Sequence, residues 1–532
     1  MNPNRLPLSP RNSRQWSIAD RLGLSLLVGF LGLIELVIIN PIQAAGSNSK
    51  PVATIDDTKL LVTELSRLQA QITQNARPVT LKEAVAIGIR SNPQLLQAFS
   101  AIQQYEWQLI AAQRQWYPTL QLSNGTPFAG IQWSSFSQTF ASTSPSALPA
   151  YSNSSVLSVF QPGVSISWIA IDPTRQPNIN AANETLRQQK FLFDVSARNL
   201  VYDIQQSYYA IQSSQQLINS FRQIYSINER QLAMLEGQRS IGMATVLDIE
   251  SSRSQLFLQL NQLVGYTQAY IAQTASLAQA MGLPEGTLAI PSEPAALQGD
   301  WAISLQQTIN RAKHQREEIL ASLAAAESAR WSSVAAIRSY LPVVQLVANG
   351  SLVANNGTQK YSSAGVSNNT NINSSDRTAA VGLGFTWSIF DGGIQAANAQ
   401  AAKAQAYQQV AQAASTELQV TQEVRSSYSQ LLTARVAVRS AQQSYRSAGL
   451  AQQASTARYT AGVGDITSLV QTIQQLSQAA QQLSEATLSY NTALAQLYRY
   501  SATWPYQSQA EVNQRVQQLR LGPAAASAPA KP

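Results

Sequence analysis

From Val381 to Ile389, large apolar residues alternate with small or polar ones: Val381, Leu383, Phe385, Trp387 and Ile389 against Gly382, Gly384, Thr386 and Ser388. A period of two puts the large groups on one face of a β-strand. Asp391-Gly392-Gly393 then supplies a turn, and an unbroken Ala/Gln-rich helical pattern runs from Ile394 to about Ala461. The same unit occurs earlier. Val164, Ile166, Trp168 and Ala170 alternate with Ser165, Ser167 and Ile169, Asp172-Pro173 breaks the strand, and a long helical pattern begins near Asn180. Trp168 and Trp387 hold the same place in two copies of one unit, so the chain reads as an internal duplication.

The remaining pattern extends the duplication in both directions. Leu305 stands 224 residues after Leu81, and Tyr340-Leu341-Pro342 stands 224 after Trp116-Tyr117-Pro118. Each half begins with a short helix, the first stopping at Asn92-Pro93, and a second helix ending at Pro118 or Pro342. Strands are predicted over Thr119–Asn124, Gln161–Ile171 and Val343–Leu352. The Ser/Thr-rich stretch 125–158 and the Asn/Ser-rich stretch 355–376 read as exposed loops. The two long helices carry heptad-like rows, including Ala197, Leu200, Ile204 and Ile211 in one and Val420, Val424, Leu431 and Val438 in the other. Such rows suit side-by-side helices. The chain reverses at Gly242-Met243-Ala244-Thr245 and at Gly462-Val463-Gly464-Asp465, and return helices end near Met281 and Tyr500.

The predicted organisation is an export signal over 1–45, then a linker with one short amphipathic helix (Leu61, Leu65, Leu68, Ile72) over 46–79. A first repeat covers 80–294 and a second 295–503, and a tail over 504–532 becomes disordered toward its Ala/Pro-rich end. Four arginines ahead of the apolar run Leu22–Ile34, with Ala44 as a small residue at the cleavage point, carry the signal reading.

Composition narrows the chemistry. Charged residues make up 12% of the 532, and the formal charge is +8, part of it in the signal. No basic stripe is interleaved with aromatics, which argues against nucleic-acid binding. There is no Cys and one His, His314, in a run of basic helix residues. That leaves little for transition-metal sites or His-based nucleophilic chemistry. No cofactor, metal or catalytic residue is expected.

Geometry supplies the next step. Ile394–Ala461 spans roughly 100 Å as a helix, longer than a globular core can use, so the helices form an extended bundle. The strands' apolar face (Val381, Leu383, Phe385, Trp387 and Trp168) suits lipid, and in lipid no sheet edge stays unpaired. Four strands per chain cannot close a barrel. Two copies would give eight strands with a filled interior, and three would give twelve around an aqueous lumen. Trp168 and Trp387 suit an interfacial aromatic girdle.

Ser388-Ile389-Phe390-Asp391-Gly392-Gly393, Asn92-Pro93 and the two glycine tips, in this order and twice over, resemble the outer-membrane efflux protein (TolC-like) family across residues 80–503. The first copy departs at Ile171-Asp172-Pro173-Thr174, where Pro stands for the first Gly. The resemblance implies a mostly α fold with a small transmembrane β part, closed as a twelve-stranded barrel in a homotrimer and continued by a long antiparallel helical tunnel across the periplasm. It also implies a cell outer-membrane location and export of small molecules or proteins. The partners implied are a periplasmic adaptor (membrane fusion protein) and an inner-membrane pump. The tips, Gly242, Met243, Ala244, Thr245, Gly462, Val463 and Gly464, are the expected adaptor-docking positions. Carboxylates often narrow the entrance of such channels, but Ser468 and Gln471 stand six and nine residues after Gly462, so Asp248 and Asp465 remain as the acidic gate candidates. Asp248 is also expected to pair with Arg239 or Arg458. The alternatives are a periplasmic coiled-coil adaptor, which usually has one hairpin between β-rich flanks, and a scaffold protein, which does not account for the strands.

Overall fold

A computed structural model of the chain describes residues 55–138, 151–363, 366–505 and 508–521. The expected signal and the Ala/Pro-rich end lie outside the described residues. In chain order the elements are α1 (Ile55–Asn75), β1 (Ala76–Val79), α2 (Leu81–Ser91), α3 (Pro93–Arg114), β2 (Thr119–Gln138), β3 (Tyr151–Ile171), α4 (Arg175–Ser240) and α5 (Val246–Met281). The second half follows as β4 (Leu288–Pro291), α6 (Leu305–Gln315), α7 (Glu317–Arg338), β5 (Val343–Ser363), β6 (Val366–Thr386), α8 (Ile394–Thr460) and α9 (Ile466–Tyr500), and α10 (Ser508–Leu521) closes the chain.

The duplication is visible in the caps. Thr80 and Ser304 each close a capping box, with Glu83 and Gln307 at the third helical position, which satisfies two otherwise free backbone donors at each helix start. α2 and α6 have equal lengths, as do α3 and α7.

β2, β3, β5 and β6 form one antiparallel sheet in that order. Register places Leu120, Ile166, Ala348 and Val381 in one row and Trp168, Leu346 and Leu383 in the next. The opposite face carries Gln121, Ser165 and Asn349 in one row and Gln345 and Gly384 in another. The sheet thus has one apolar and one polar face, as cross-strand pairing requires when each strand alternates.

The strands are far longer than their alternating parts. β2 runs to Gln138, β3 begins at Tyr151, and β5 and β6 pair continuously from Val343↔Thr386 to Ser363↔Val366. Most of the stretch read as a loop over 355–376 is therefore ladder, as are 129–138 and 151–158, with a break in register between Asn124 and Ala129. These outer halves have Ser, Thr and Asn on both faces, so hydropathy alternation vanishes while backbone pairing persists. Trp387 differs in the other direction: it stands just past the end of β6, and Ile389 and Phe390 lie in the turn.

The helices form two stacked arcs. Next to the sheet, α3, α4, α7 and α8 touch in sequence; toward the tips, α5, α4, α9 and α8 do so. α4 and α8 run through both arcs. Between them lies a belt that the sequence reading largely missed. β1 pairs in parallel with β4, Ala76↔Leu288 through Val79↔Pro291. α10 packs Val512 and Leu519 onto the core of the first repeat. α1 lies along α4 toward the tips, with Tyr225 donating to Thr58, Arg222 donating to Ser66 and Val62 packed between them on the cluster that includes Tyr225. Of its expected apolar face, Leu65 and Ile72 are packed, whereas Leu61 and Leu68 are largely exposed. The long helix of the first repeat starts at Arg175, earlier than Asn180.

Candidate functional site

Three regions carry features beyond packing: the junction of sheet and helices, the belt, and the tips. At the junction each repeat uses a tryptophan in the same way. The Trp168 indole Nε1–H donates to the carbonyl of Trp116 (3.0 Å), and that of Trp387 donates to the carbonyl of Tyr340 (2.9 Å). An Asp follows in each. Asp391 accepts from the backbone N–H of Gly393 (2.9 Å) and Gln395 (2.8 Å), and Asp172 from N–H and Oγ1 of Thr174 (2.8 and 2.7 Å). A carboxylate there satisfies the free N–H groups of a helix start and opposes its positive dipole end. The turns differ otherwise. Gly392 and Gly393 are left-handed (φ 70° and 87°), whereas Thr174 has φ −87°. In the first copy Arg175 fills the space, donating to the carbonyl of Ile169 (2.5 Å) and stacking over Trp116 (4.3 Å).

Val381, Leu383 and Phe385 are 78, 77 and 74% exposed, on the same face as Trp168. No described helix is long and apolar enough to cross a membrane. These exposed apolar side chains share one face of the sheet.

In the belt a cluster of charges joins the two repeats. Arg198 of α4 donates to Glu317 (2.9 Å) and to the carbonyl of Ala502 (3.1 Å), and stacks over Trp504 (4.2 Å). Glu318 pairs with Arg316 (3.1 Å) and with Arg499, and Arg316 also reaches Glu423 (2.5 Å). Burial pushes Glu318 up, but the guanidiniums of Arg499 and Arg316 outweigh it and hold the carboxyl down at about 2. Asp194 lies beside this cluster. Burial, and then the charge of Glu317, push it up to about 6 against the opposing pull of Arg198. The matching junction of the first repeat is neutral: Asn92 caps α3 through Gln94 N–H (2.7 Å) and donates to the carbonyl of Ala280 (2.8 Å). His314, the only histidine of the chain, sits exposed with its Nδ1 2.8 Å from the carbonyl of Asn310.

At the tips both reversals use one device. Gly242 and Gly462 are left-handed (φ 77° and 75°), and the next N–H, of Met243 or Val463, returns to the carbonyl of Gln238 (2.9 Å) or Arg458 (3.1 Å). This closes the last helical turn on its own carbonyls. Gly464 is needed for room, since a Cβ there would lie 2.8 Å from the Tyr459 backbone nitrogen. Ala244 holds the matching place in the first tip, half-buried against the cluster of Leu232 and Ile249. Ile241, Met243, Leu247 and Val463 are exposed.

Asp248 and Asp465 start the return helices differently. Asp248 forms a capping box with Thr245, whose N–H (2.9 Å) and Oγ1 (2.6 Å) both donate to it. No ion pair to Arg239 or Arg458 occurs among the described residues, so the expected pairing is replaced by a cap. Asp465 stands at the N-cap of α9 with no side-chain bond to the helix and is exposed. Ser468 and Gln471 are exposed on α9. The fold brings Asp248 and Asp465 together around a residue absent from the sequence reading, Tyr459. Its hydroxyl donates to Gln238 Oε1 (2.7 Å), tying the second hairpin to the first. Burial, then Asp248 and Asp465, push this phenol up. Its sequence signal is slight: an aromatic in the last turn before a tip glycine.

Comparison with known proteins agrees with this geometry. The solved outer membrane channel CmeC of Campylobacter jejuni superposes with a TM-score of 0.63 at 14% identity, covering 96% of this chain and 98% of that one. A membrane protein from Pseudomonas aeruginosa gives 0.63 at 19% identity, covering 79% and 93%. The outer membrane protein VceC of Vibrio cholerae gives 0.59 at 15%, covering 80% and 96%. No curated protein matches the chain by sequence. A sequence profile described as Outer membrane efflux protein matches residues 89–283 and 308–503, one span in each repeat. The two-repeat, mostly helical chain with one four-stranded sheet belongs to the outer membrane efflux protein family.

Proposed function

We propose that three copies of this chain form a channel-tunnel in the outer membrane. Substrate would reach it from an inner-membrane pump through a periplasmic adaptor docked on the two helical tips. One observation carries this reading: every layer is an open arc with the same free flanks. The sheet ends in β2 and β6, the upper helices in α3 and α8, and the lower ones in α5 and α8. β2 follows α3 and β6 precedes α8, so both flanks continue in register from layer to layer. Joining the β6–α8 flank of one copy to the β2–α3–α5 flank of the next seals sheet and helices together. Three four-stranded arcs give a twelve-stranded wall, wide enough for a lumen lined by Gln121, Ser165, Asn349 and Gln345.

The exposed apolar residues at the tips, Met243, Leu247 and Val463, suit helical-hairpin docking. Asp465, free of capping duty, suits a ring of charge at the entrance. Ser468 and Gln471 give that ring a neutral continuation. A polar wall with small side chains is compatible with both small molecules and unfolded protein as cargo.

The test is reconstitution. Full-length protein extracted from outer membranes should run as a trimer and give discrete conductance steps in planar bilayers. A monomer, or a trimer that never conducts, overturns the proposal.

A further inference from the structure

We propose, on the reading that the apolar face of the sheet meets lipid, that Arg377 of β6 binds the phosphate of an outer-leaflet lipid headgroup. The outward rows of both repeats fix its depth. In β3 the row runs Trp168, Ile166, Val164, Pro162 and Phe160 and turns polar at Ser158. In β6, starting from Trp387 just past the strand end, it runs Phe385, Leu383, Val381 and Ala379 and turns polar at Arg377. Both changes come ten residues from the tryptophan (168 − 158; 387 − 377).

Ten residues of strand cover about 33 Å, or about 25 Å along the membrane normal at a tilt of about 40°, the height of the apolar band of an outer-membrane barrel. Trp387 then lies at one interface and Arg377 at the other. Trp133 pairs with Val156, two residues beyond Ser158, and is 74% exposed. That is where the second aromatic girdle of such a barrel falls. An arginine on the lipid face is costly at mid-membrane and nearly free at the interface, so Arg377 agrees with the same boundary.

The charge pattern sets the ligand. Lys360, Asp376 and Arg377 are the charged residues of the four strands. Arg377 pairs with Leu352, six residues from the Leu346–Leu383 pair, and Lys360 lies eight residues further out. Even steps keep both cations on the apolar side of the sheet. Asp376 pairs with Val353 and faces the polar side, away from both. Arg377 and Lys360 are exposed, and neither makes an ion pair with a described residue. Lys360 stands about 20 Å beyond the band, whereas Arg377 stands at its edge, where a lipid presents its phosphate. The planar guanidinium matches a phosphate bidentately, and beside hydrocarbon the contact is little screened by salt. The matching position of the first repeat is the uncharged Ser158, so each copy has one site and a trimer three.

The test is native mass spectrometry of the full-length protein in a nonionic detergent, titrated with dioleoylphosphatidic acid and with monogalactosyldiacylglycerol, a neutral two-chain lipid without phosphate. The phosphatidic acid is expected to bind at least about tenfold more tightly than the galactolipid. Arg377→Gln is expected to remove most of that preference, and Arg377→Lys, which keeps the charge and loses the fork, to keep part of it. Lys360→Gln, beyond the band, is expected to leave it unchanged. Should Arg377→Gln fail to assemble, Arg377→Lys set against Lys360→Gln decides, with weakening expected in the first alone. No preference for the phosphate lipid, an equal preference in wild type and the Arg377 variants, or a preference lost in Lys360→Gln instead overturns the site. So does displacement of the lipid by equimolar inorganic phosphate, which would mark a free-anion site. Conductance of the same preparation tests the channel reading separately: a conducting trimer with no lipid preference ends this proposal and leaves that reading standing.

Discussion

Trp168 and Trp116 are joined by a hydrogen bond from the indole of one to the backbone carbonyl of the other, and Trp387 and Tyr340 repeat it in the second half. The bond crosses from the strand end that leads into each helical rod to the residues that close the Pro-terminated helix beside it. Each indole thus has a structural duty, set by its hydrogen bond. Trp168→Phe and Trp387→Phe keep the ring and lose the donor. Each is expected to lower the stability of the folded assembly by about 0.5–1.5 kcal/mol, read as a lower melting temperature in detergent. Unchanged melting in both would assign the indoles to the lipid interface alone.

Asp194 makes the belt sensitive to pH. Its carboxyl is held near 6 in the folded chain, above its ordinary value of 3.8. The folded state therefore keeps a proton that the unfolded chain releases, and stability falls as pH rises from about 4 through 6. Asp194→Asn is expected to raise stability at pH 8 by about 1–3 kcal/mol and to change little at pH 4. Thermal melting across pH 4–8 measures this.

Glu318 works in the opposite sense. Its carboxyl is depressed from 4.5 to about 2, so its contribution is present above 4.5 and lost as pH falls toward 2. Glu318→Gln leaves Arg316 and Arg499 buried without their shared counter-charge, a loss of about 3–5 kcal/mol at pH 7. Failure to assemble would be visible by native electrophoresis.

The Tyr459–Gln238 bond ties the two hairpins next to the tip, with Gln474–Gln255 a second polar link further along. Tyr459→Phe is expected to lengthen open times in single-channel recordings without reducing trimer yield. Asp465→Asn is expected to lower cation preference, because that carboxylate has no capping duty. Asp248→Asn acts mainly on the cap of α5 and is expected to leave selectivity unchanged. Equal selectivity for wild type and Asp465→Asn would remove Asp465 from the entrance.

Gly464 and Ala244 offer a paired experiment. Gly464→Ala drives a methyl against the Tyr459 backbone and is expected to disorder the second tip, increasing proteolysis there. Ala244→Gly removes a methyl from a half-buried place and is expected to cost about 1 kcal/mol or less with the tip intact. Limited proteolysis with mass spectrometry distinguishes the two.

The repeats, the rods and the tip glycines were legible because each rests on a local signal: alternation by two, heptad rows, and glycine where φ is positive. The outer halves of the strands were not. Asn355–Asp376 lacks alternation because water meets both faces, and only its ladder with β3 and β6 holds it extended. β1 and β4 are four residues each and gain strand character only from one another across the whole first repeat. Tyr459 and Gln238 are 221 positions apart, and only the folding of one hairpin against the other makes them neighbours. The partner of Asp248 is the Thr245 hydroxyl three residues earlier, a local cap in place of the expected arginine.

α4 and α8 each run as one unbroken rod from the Trp-anchored turn to the tip, while the helices beside them are split at the belt. In the proposed channel-tunnel a load on the tips would travel up these two rods and reach the Arg–Glu cluster before the sheet, so that cluster would act as the fulcrum between the two ends.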